Sequence, residues 1–491
     1  MIPLSIARIA EIVGGELANI GPDEAAQRQV TGTVEFDSRA VTAGGLFLAL
    51  PGARSDGHDF AAAAVAAGAV AVLAARPVGV PAIVVPPASA ADANAGVLEH
   101  DTDGSGAAVL AALAKLASAV AAELVEGGLK IIGITGSSGK TSTKDLIAAV
   151  LRPLGAVVAP PGSFNNELGH PWTVLRATTD TDFLVLEMSA RHPGNIAALA
   201  AIARPSIAAV LNVGTAHLGE FGSREIIAET KSELVQALPE SGVAVLNADD
   251  SFVAAMDAKT VARVVRVGRT EGVDLRAQDV ELDELARARF TLRTATDSVP
   301  VALAVHGEHQ VSNALSAAAI ALECGADLTQ IADALAGAGP ASRHRMEVRT
   351  RADGVTVVND AYNANPDSMR AGLQALAVMA RSQSRRRSWA VLGEMGELGE
   401  DSITEHDRVG RLAVRLDISR LVVVGTGRPM SAMHHGAVME GSWGSESVMV
   451  PDADAALELL RAELAPGDVV LVKASNAAGL GALAEALVAD T

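Results

Sequence analysis

The chain has a single cysteine, Cys324, which excludes an intramolecular disulfide. In its alanine-rich surroundings Cys324 reads as a small buried residue. Positive charge is also scarce: 39 Lys and Arg face 58 Asp and Glu, for a formal net charge of −19. Nucleic-acid backbones need spread cationic surface, so no nucleic-acid partner is expected. An anionic substrate must instead be held by a few local cations, backbone amides and metal ions. Long apolar runs are missing too. The longest, Phe60 to Ala75, is alanine-dominated and too short to span a bilayer, so a packed helix is expected there and no stable membrane insertion. Met1-Ile2-Pro3-Leu4-Ser5-Ile6 carries no basic region ahead of a long apolar core, so no signal peptide is expected and the chain is placed in the cytoplasm. The Asn-Lys-x-Asp string by which GTPases read their base is absent. The one basic cluster, Arg385-Arg386-Arg387, reads as a solvated loop.

What is present is a phosphate loop. Lys130-Ile131-Ile132-Gly133-Ile134-Thr135 is an apolar strand, Gly136-Ser137-Ser138-Gly139 a glycine-bracketed turn, and Lys140-Thr141-Ser142-Thr143 opens a helix. In such a turn successive N–H groups point inward and the helix dipole favours negative charge. The Lys140 ammonium reaches the outer phosphates, and the Thr141 hydroxyl can hold a magnesium ion. The loop departs from G-x-x-x-x-G-K-[ST], because Ile134 stands where the first glycine belongs. That departure points away from GTPases and general ATPases and towards a ligase-type loop.

With 491 residues the chain should form about three domains, each with its own core. Residues 1–105 read as a small α/β unit, with strands over Val30–Phe36 and Gly45–Leu50 and a helix followed by a strand over 60–75. Pro86 to Asp103 reads as a linker, and a helix is expected from Ala107 to Val125. Residues 106–339 form the second unit. Phe183–Glu187, Ile207–Asn212 and Val243–Asn247 are apolar runs ending in polar residues, alternating with helix patterns, which argues a largely parallel sheet. Ligands bind at the carboxyl ends of such strands, which sets Glu187 and Asn212 on the phosphate-loop edge. Val273–Val305 should add antiparallel strands. Residues 340–491 repeat the α/β alternation, with strands at Val355–Asn359, Trp389–Leu392, Leu421–Val424 and Val469–Val472. The fold class is therefore α/β, with a Rossmann-like third unit.

Three further strings complete the pattern: Leu186-Glu187-Met188, Ala216-His217-Leu218 and Lys231-Ser232-Glu233. A carboxylate and a hydroxyl suit Mg²⁺, which keeps water and phosphate oxygens as its other ligands. Together with Thr135–Thr141, and in this order, the strings resemble the Mur ligase family of ATP-dependent amide-bond ligases. The resemblance implies that Glu187 and Thr141 hold magnesium beside the ATP phosphates, that His217 helps hold a second ion, and that Lys231 is carbamylated. Carbon dioxide capture would turn an ammonium that repels magnesium into an anionic oxygen ligand. His309-Gln310-Val311-Ser312-Asn313 resembles the family's adenosine-contacting segment, with Asn313 as adenine contact, and His344-Arg345-Met346-Glu347 resembles its third-domain arginine segment, with Arg345 reaching the transferring phosphate.

Asn359-Asp360-Ala361-Tyr362-Asn363-Ala364-Asn365-Pro366 resembles the version found in family members that add D-alanyl-D-alanine to a UDP-N-acetylmuramoyl-tripeptide. The D-N-P-R string that reads a diamino acid is absent. By the same resemblance Asp360 belongs with Lys140, Ser142 and the phosphate loop at the nucleotide. Asn165, Asn166, Tyr362, Asn363 and Asn365 belong to the substrates, and Asp37-Ser38-Arg39 with Asp56 and His58 to the uridine nucleotide. Two places depart from the pattern: Asn476 and Gly481 stand where a basic residue and a carboxylate are expected, and His170 stands where the family is aliphatic. The implied reaction phosphorylates the substrate carboxylate, and the dipeptide amine then attacks. Phosphoryl transfer of this kind rests on positioning and charge neutralisation, with Lys140, Arg345, His217 and Lys231 as the catalytic set and two magnesium ions. A monomer that closes its domains around its substrates is expected. The competing readings are another Mur ligase or a folylpolyglutamate synthase, and a nucleotide-driven regulator or motor.

Overall fold

A computed structural model describes residues 1–52, 55–87, 101–160, 162–215, 218–381, 386–441 and 444–489, with Leu218 described in its backbone only. His217 and Arg385 therefore lie outside the described residues, as does most of the expected linker. Among the described residues three sheets carry the architecture. The first unit opens with a two-stranded pair, β1 (Leu4–Ser5) and β3 (Gln29–Val30). Its five-stranded sheet is built from β2 (Glu16–Ala18), β4 (Val34–Glu35), β5 (Gly45–Leu48), β6 (Ala69–Ala74) and β7 (Ala82–Val84), in the order β2-β7-β6-β5-β4. The run expected as one strand over Val30–Phe36 is two short strands, because Gly32 turns between them. A Cβ there would meet Gly45 N at 2.7 Å and the backbone of Ala43. The apolar run Phe60–Ala75 divides into a helix, Ala61–Ala66, and β6.

The central sheet has nine strands: β8 (Lys130–Thr135), β9 (Val157–Val158), β10 (Phe183–Glu187), β11 (Ile207–Val210), β12 (Val243–Asn247), β13 (Arg263–Gly268), β14 (Leu275–Leu282), β15 (Arg287–Arg293) and β16 (Ser298–His306). Their order, β16-β15-β14-β13-β12-β11-β8-β10-β9, puts β8 at the point where successive strands depart to opposite sides. A crevice opens at the carboxyl end of such a strand. Strands β9 to β14 run parallel with β8, and β14-β15-β16 are antiparallel, as the alternating pattern of 273–305 leads one to expect. The third unit places β17 (Glu347–Thr350), β18 (Thr356–Asn359), β19 (Ser388–Leu392), β20 (Arg420–Val424), β21 (Ser447–Val450) and β22 (Val469–Lys473) in the order β17-β18-β22-β19-β20-β21, parallel except for β17.

The first unit does not bury a fully separate core. One apolar cluster runs from Ile2 and Ile6 through Leu113 and Leu116 to Leu184 and Leu246. Its bridge is the helix Ser105–Glu126, long and apolar enough to cross a membrane by length and composition, yet packed here against the helices Ile6–Val13, Gly169–Val174 and Asn195–Ile202. An apolar stripe on three sides is what a core helix needs. The basic cluster differs from expectation at Arg386. Its guanidinium donates to Gly354 O (3.0 Å), Thr356 Oγ1 (2.8 Å) and Gly467 O (2.5 Å), tying two loops of the third unit together. Arg387 pairs with Asp468 at 2.7 Å. Carbonyls that would otherwise face a concave loop surface need donors, and these arginines supply them.

Candidate active site

The phosphate loop forms as its glycines dictate. Gly139 sits at φ 84°, and a Cβ there would meet Asn313 Oδ1 at 2.8 Å, so both conformation and space require glycine. Asn212, just past β11, braces the turn from the next strand: its Oδ1 accepts from Ser138 N (3.0 Å) and its Nδ2 donates to Ser138 O (3.1 Å). Ser137 Oγ accepts from Gly214 N at 2.9 Å. The Lys140 ammonium folds back onto Gly136 O at 2.6 Å. Burial pushes this lysine down to about 8, against the pull of Glu187. No side chain caps the helix Lys140–Leu151, so its N-terminus, with the Lys140 ammonium in the first turn, suits an anion.

Glu187 ends β10 beside this loop and is buried. Its Oε2 accepts from Thr141 Oγ1 (3.1 Å) and Ser163 Oγ (3.2 Å). Its Oε1 is buried without a hydrogen-bond partner, with the Lys144 ammonium at 3.7 Å. A buried carboxylate oxygen left over beside a hydroxyl fits a hard divalent cation. Lys231 lies on the helix Arg224–Gln236 and is buried. Burial first, and then the charge of Lys140, hold it well below the ordinary lysine range. Among the described residues no three His, Cys, Asp or Glu side chains cluster as a ready-made metal cage.

A cavity of about 760 Å³ opens above the loop, walled by the central and third units together. Lys140, Thr141, Ser142, Asn165, Asn166 and Asn313 line it from one side; Arg345, Asp360, Tyr362, Asn363 and Asn365 line it from the other. The Arg345 guanidinium lies 4.3 Å over the Tyr362 ring and donates to Thr141 Oγ1 at 3.4 Å, so a third-unit cation reaches the phosphate loop. Asn365 is also the N-cap of the helix Pro366–Ala380, in a capping box with Ser368. Asp360 is held from within its own unit: Lys473 Nζ lies 2.6 Å from its Oδ2, and Met346 N donates to its Oδ1 at 3.1 Å.

Residues Asp37, Ser38, Arg39, Asp56 and His58 do not line this cavity. Arg39 is exposed and pairs with Asp37 at 2.7 Å. Asp56 pairs with Arg76 at 2.8 Å and with His58 Nδ1 at 2.6 Å, while His58 Nε2 accepts from Ala75 N at 3.0 Å. Both nitrogens of His58 are committed to the fold, where they hold Asp56 and the loop.

Sequence reasoning passed over four residues: Asp367 and Lys473, which line the cavity, and Lys144 and Ser342, which do not. Lys144 follows Lys140 by one helical turn, which is a legible signal. Asp367, which accepts from Thr215 N (2.9 Å) across the cleft, had no signal beyond its place at a helix start. The Gly481 departure has a local reason: a Cβ there would strike the His344 ring at 2.7 Å. Asn476 lines the cavity, and His170 is buried in the helix Gly169–Val174, where desolvation pushes it down to about 4 and keeps it neutral.

A phosphate loop with a spare carboxylate oxygen, closed over by a second α/β unit carrying an arginine, defines a nucleotide-dependent ligase architecture. Three family models match the chain: "Mur ligase family, catalytic domain" over 32–120, "Mur ligase middle domain" over 134–321 and "Mur ligase, glutamate ligase domain" over 344–476. The chain belongs to the Mur ligase family. A Mycobacterium tuberculosis protein named UDP-N-acetylmuramoyl-tripeptide–D-alanyl-D-alanine ligase is 73% identical over 502 residues, covering 100% of this chain and 98% of that one. Among solved structures, MurF from Acinetobacter baumannii superposes with a TM-score of 0.82 at 30% identity, covering 99% of both chains. MurF ligase from Thermotoga maritima in complex with ADP gives 0.74 at 29% identity, covering 93% of this chain and 97% of that one.

Proposed function

We propose that this enzyme uses ATP to ligate D-alanyl-D-alanine to UDP-N-acetylmuramoyl-tripeptide, completing a peptidoglycan precursor in the cytoplasm, and that it acts as a monomer. The observation that carries the reading is the convergence of Lys140, Thr141 and Arg345 at one cavity that the Tyr362–Asn365 loop closes from the opposite side, with Glu187 bonded to the Thr141 hydroxyl. Close full-length similarity to a ligase of that name supports the choice of substrates.

Residues 1–105 would hold the uridine nucleotide through Asp37, Ser38, Arg39 and the Asp56 loop. Residues 106–339 would hold ATP, with Gly136 to Ser142 at the phosphates and Asn313 at the adenine. Residues 340–491 would supply Arg345, Asp360 and the dipeptide pocket of Tyr362, Asn363 and Asn365. A substrate carboxylate oxygen attacks the γ-phosphorus, ADP leaves, and the acyl phosphate forms. The dipeptide nitrogen then attacks the acyl carbon, loses a proton and expels phosphate. The loop amides, Lys140 and Arg345 neutralise the charge of the moving phosphoryl group. Closure of the third unit keeps water from the acyl phosphate.

Thr141 and Glu187 fit one magnesium ion; by the family resemblance His217 and a carbamylated Lys231 would hold a second. When bound, the two ions neutralise phosphate charge. Carbon dioxide is captured by the neutral amine, and burial, which lowers the Lys231 pKa and so favours that form, supports the Lys231 assignment. The test is substrate-dependent phosphate release from ATP in the presence of the nucleotide tripeptide. Release with D-alanyl-D-alanine but with neither a diamino acid nor glutamate supports the reading; the reverse preference overturns it.

A further inference from the structure

Arg345 sits in a short linker whose backbone is strained on both sides. His344 has φ 58° and Met346 φ 50°, the left-handed region that non-glycine residues avoid. Such geometry persists only where the surroundings over-determine it, and here each residue is tied separately. His344 Nε2 lies 2.8 Å from Glu485 Oε1, and its ring packs over Gly481. Met346 N donates to Asp360 Oδ1 at 3.1 Å.

The tie that crosses between units is a closed, part-buried ring of four interactions. Ser342 N donates to Asp145 Oδ2 (3.0 Å), Asp145 Oδ1 lies 3.2 Å from Lys144 Nζ, Lys144 Nζ donates to Gly162 O (2.8 Å), and Gly162 N donates to Ser342 Oγ (3.1 Å). Ser342 is 3% exposed, and the Lys144 side chain equally little. The same ring touches Glu187 twice over. Lys144 Nζ is 3.7 Å from Glu187 Oε1, and Ser163, the residue after Gly162, donates to Glu187 Oε2. Arg345 and Glu187 come from different units, yet both are referenced to this one ring.

We propose that Ser342 is a positioning residue: it pins the strained 342–346 linker to the phosphate-loop helix so that the Arg345 guanidinium faces Thr141. The proposal rests on the ligase reading above. Its chemistry needs no further group, since the ring is built from this chain's own side chains and backbone. Asp145 and Lys144 supply the charge that makes the bonds strong, and the hydroxyl of Ser342 supplies the acceptor that Gly162 N lacks otherwise.

Ser342→Ala removes that acceptor with a loss of one oxygen atom. We expect kcat for ligation to fall about tenfold or more while KM for the nucleotide tripeptide stays within about twofold, because a misplaced transition-state contact lowers kcat alone. Ser342→Thr keeps the hydroxyl and should restore most of kcat. Hydrogen exchange should quicken in peptides covering 157–168 and 340–348 of Ser342→Ala and nowhere else. The decisive arm is an Arg345→Ala background, where Ser342→Ala should change kcat no further. An undiminished kcat in Ser342→Ala, or an equal further fall in the Arg345→Ala background, overturns the proposal. Failure of the ligase reading is separate, because it would appear as absent ligation by the unmodified enzyme.

Discussion

Lys473→Met tests how the third unit carries its ligand loop. Lys473 ends β22 with its side chain 2% exposed, 2.6 Å from Asp360 Oδ2 and 3.0 Å from Asn363 O. Burial pulls its pKa down while Asp360 pulls it back up, as expected for a charge kept only by its partner. Removing the ammonium leaves the Asp360 carboxylate buried against a single backbone N–H, a change of about 3–5 kcal/mol. Replacing both partners, Lys473→Met with Asp360→Asn, leaves no stranded charge and should recover roughly 1–3 kcal/mol of that loss. Because the chain has several units, the measurement is hydrogen exchange at β18 and β22, which reads local opening of the third unit rather than a global transition. Ligation should fall with Lys473→Met, since Asp360 and Asn363 both lean on the ammonium. If β18 and β22 exchange as slowly in Lys473→Met as in the parent, or if the two losses simply add, the ion pair does not organise this loop.

Lys231→Ala should be nearly inactive, and short-chain carboxylates should partly restore it; unaltered rates at low carbon dioxide would rule out the carbamate. Asn363→Ala should weaken ligation and leave uridine-nucleotide binding intact, whereas Arg39→Ala should raise KM for the nucleotide substrate and leave that for D-alanyl-D-alanine nearly unchanged. A common loss of nucleotide affinity would contradict this division. Asn365→Ala is a mixed probe, because it also removes a helix cap worth about 1 kcal/mol, visible as a lowered Tm. Arg386→Ala strands the carbonyls of Gly354 and Gly467 and should destabilise by about 1–3 kcal/mol with kcat unchanged; a Tm equal to the parent's would mean that water satisfies those carbonyls.

Much of this architecture was legible because its signals are local. The strands Phe183–Glu187 and Val243–Asn247 are buried on both faces, so they read as unbroken apolar runs and their ends fall where polar residues begin. The phosphate loop is equally local, since Gly139 and Lys140 must be adjacent to work. The edge strands β17 and β21 escaped notice because half-exposed edges carry mixed residues. The helix Ser105–Glu126 was expected, but its role as the shared core of two units was not, since packing partners cannot be read from one segment. The site shows the same division. Motif residues on both walls of the cavity were found from their strings. The network that holds them was not, because Lys144, Ser342, Asp367 and Lys473 act through partners 18, 180, 152 and 113 residues away. Arg386 was read as solvated for the same reason: what it binds lies 32 and 81 residues off in sequence.

The most direct test follows the oxygen atoms. With oxygen-18 in the terminal carboxylate of the tripeptide, attack of that carboxylate on the γ-phosphorus of ATP must carry one labelled oxygen into the released phosphate. The account predicts about one oxygen-18 per phosphate formed during ligation of D-alanyl-D-alanine, and neither product nor labelled phosphate from Lys140→Ala. Unlabelled phosphate released alongside product would contradict it, because the carboxylate would then have been activated by some other route.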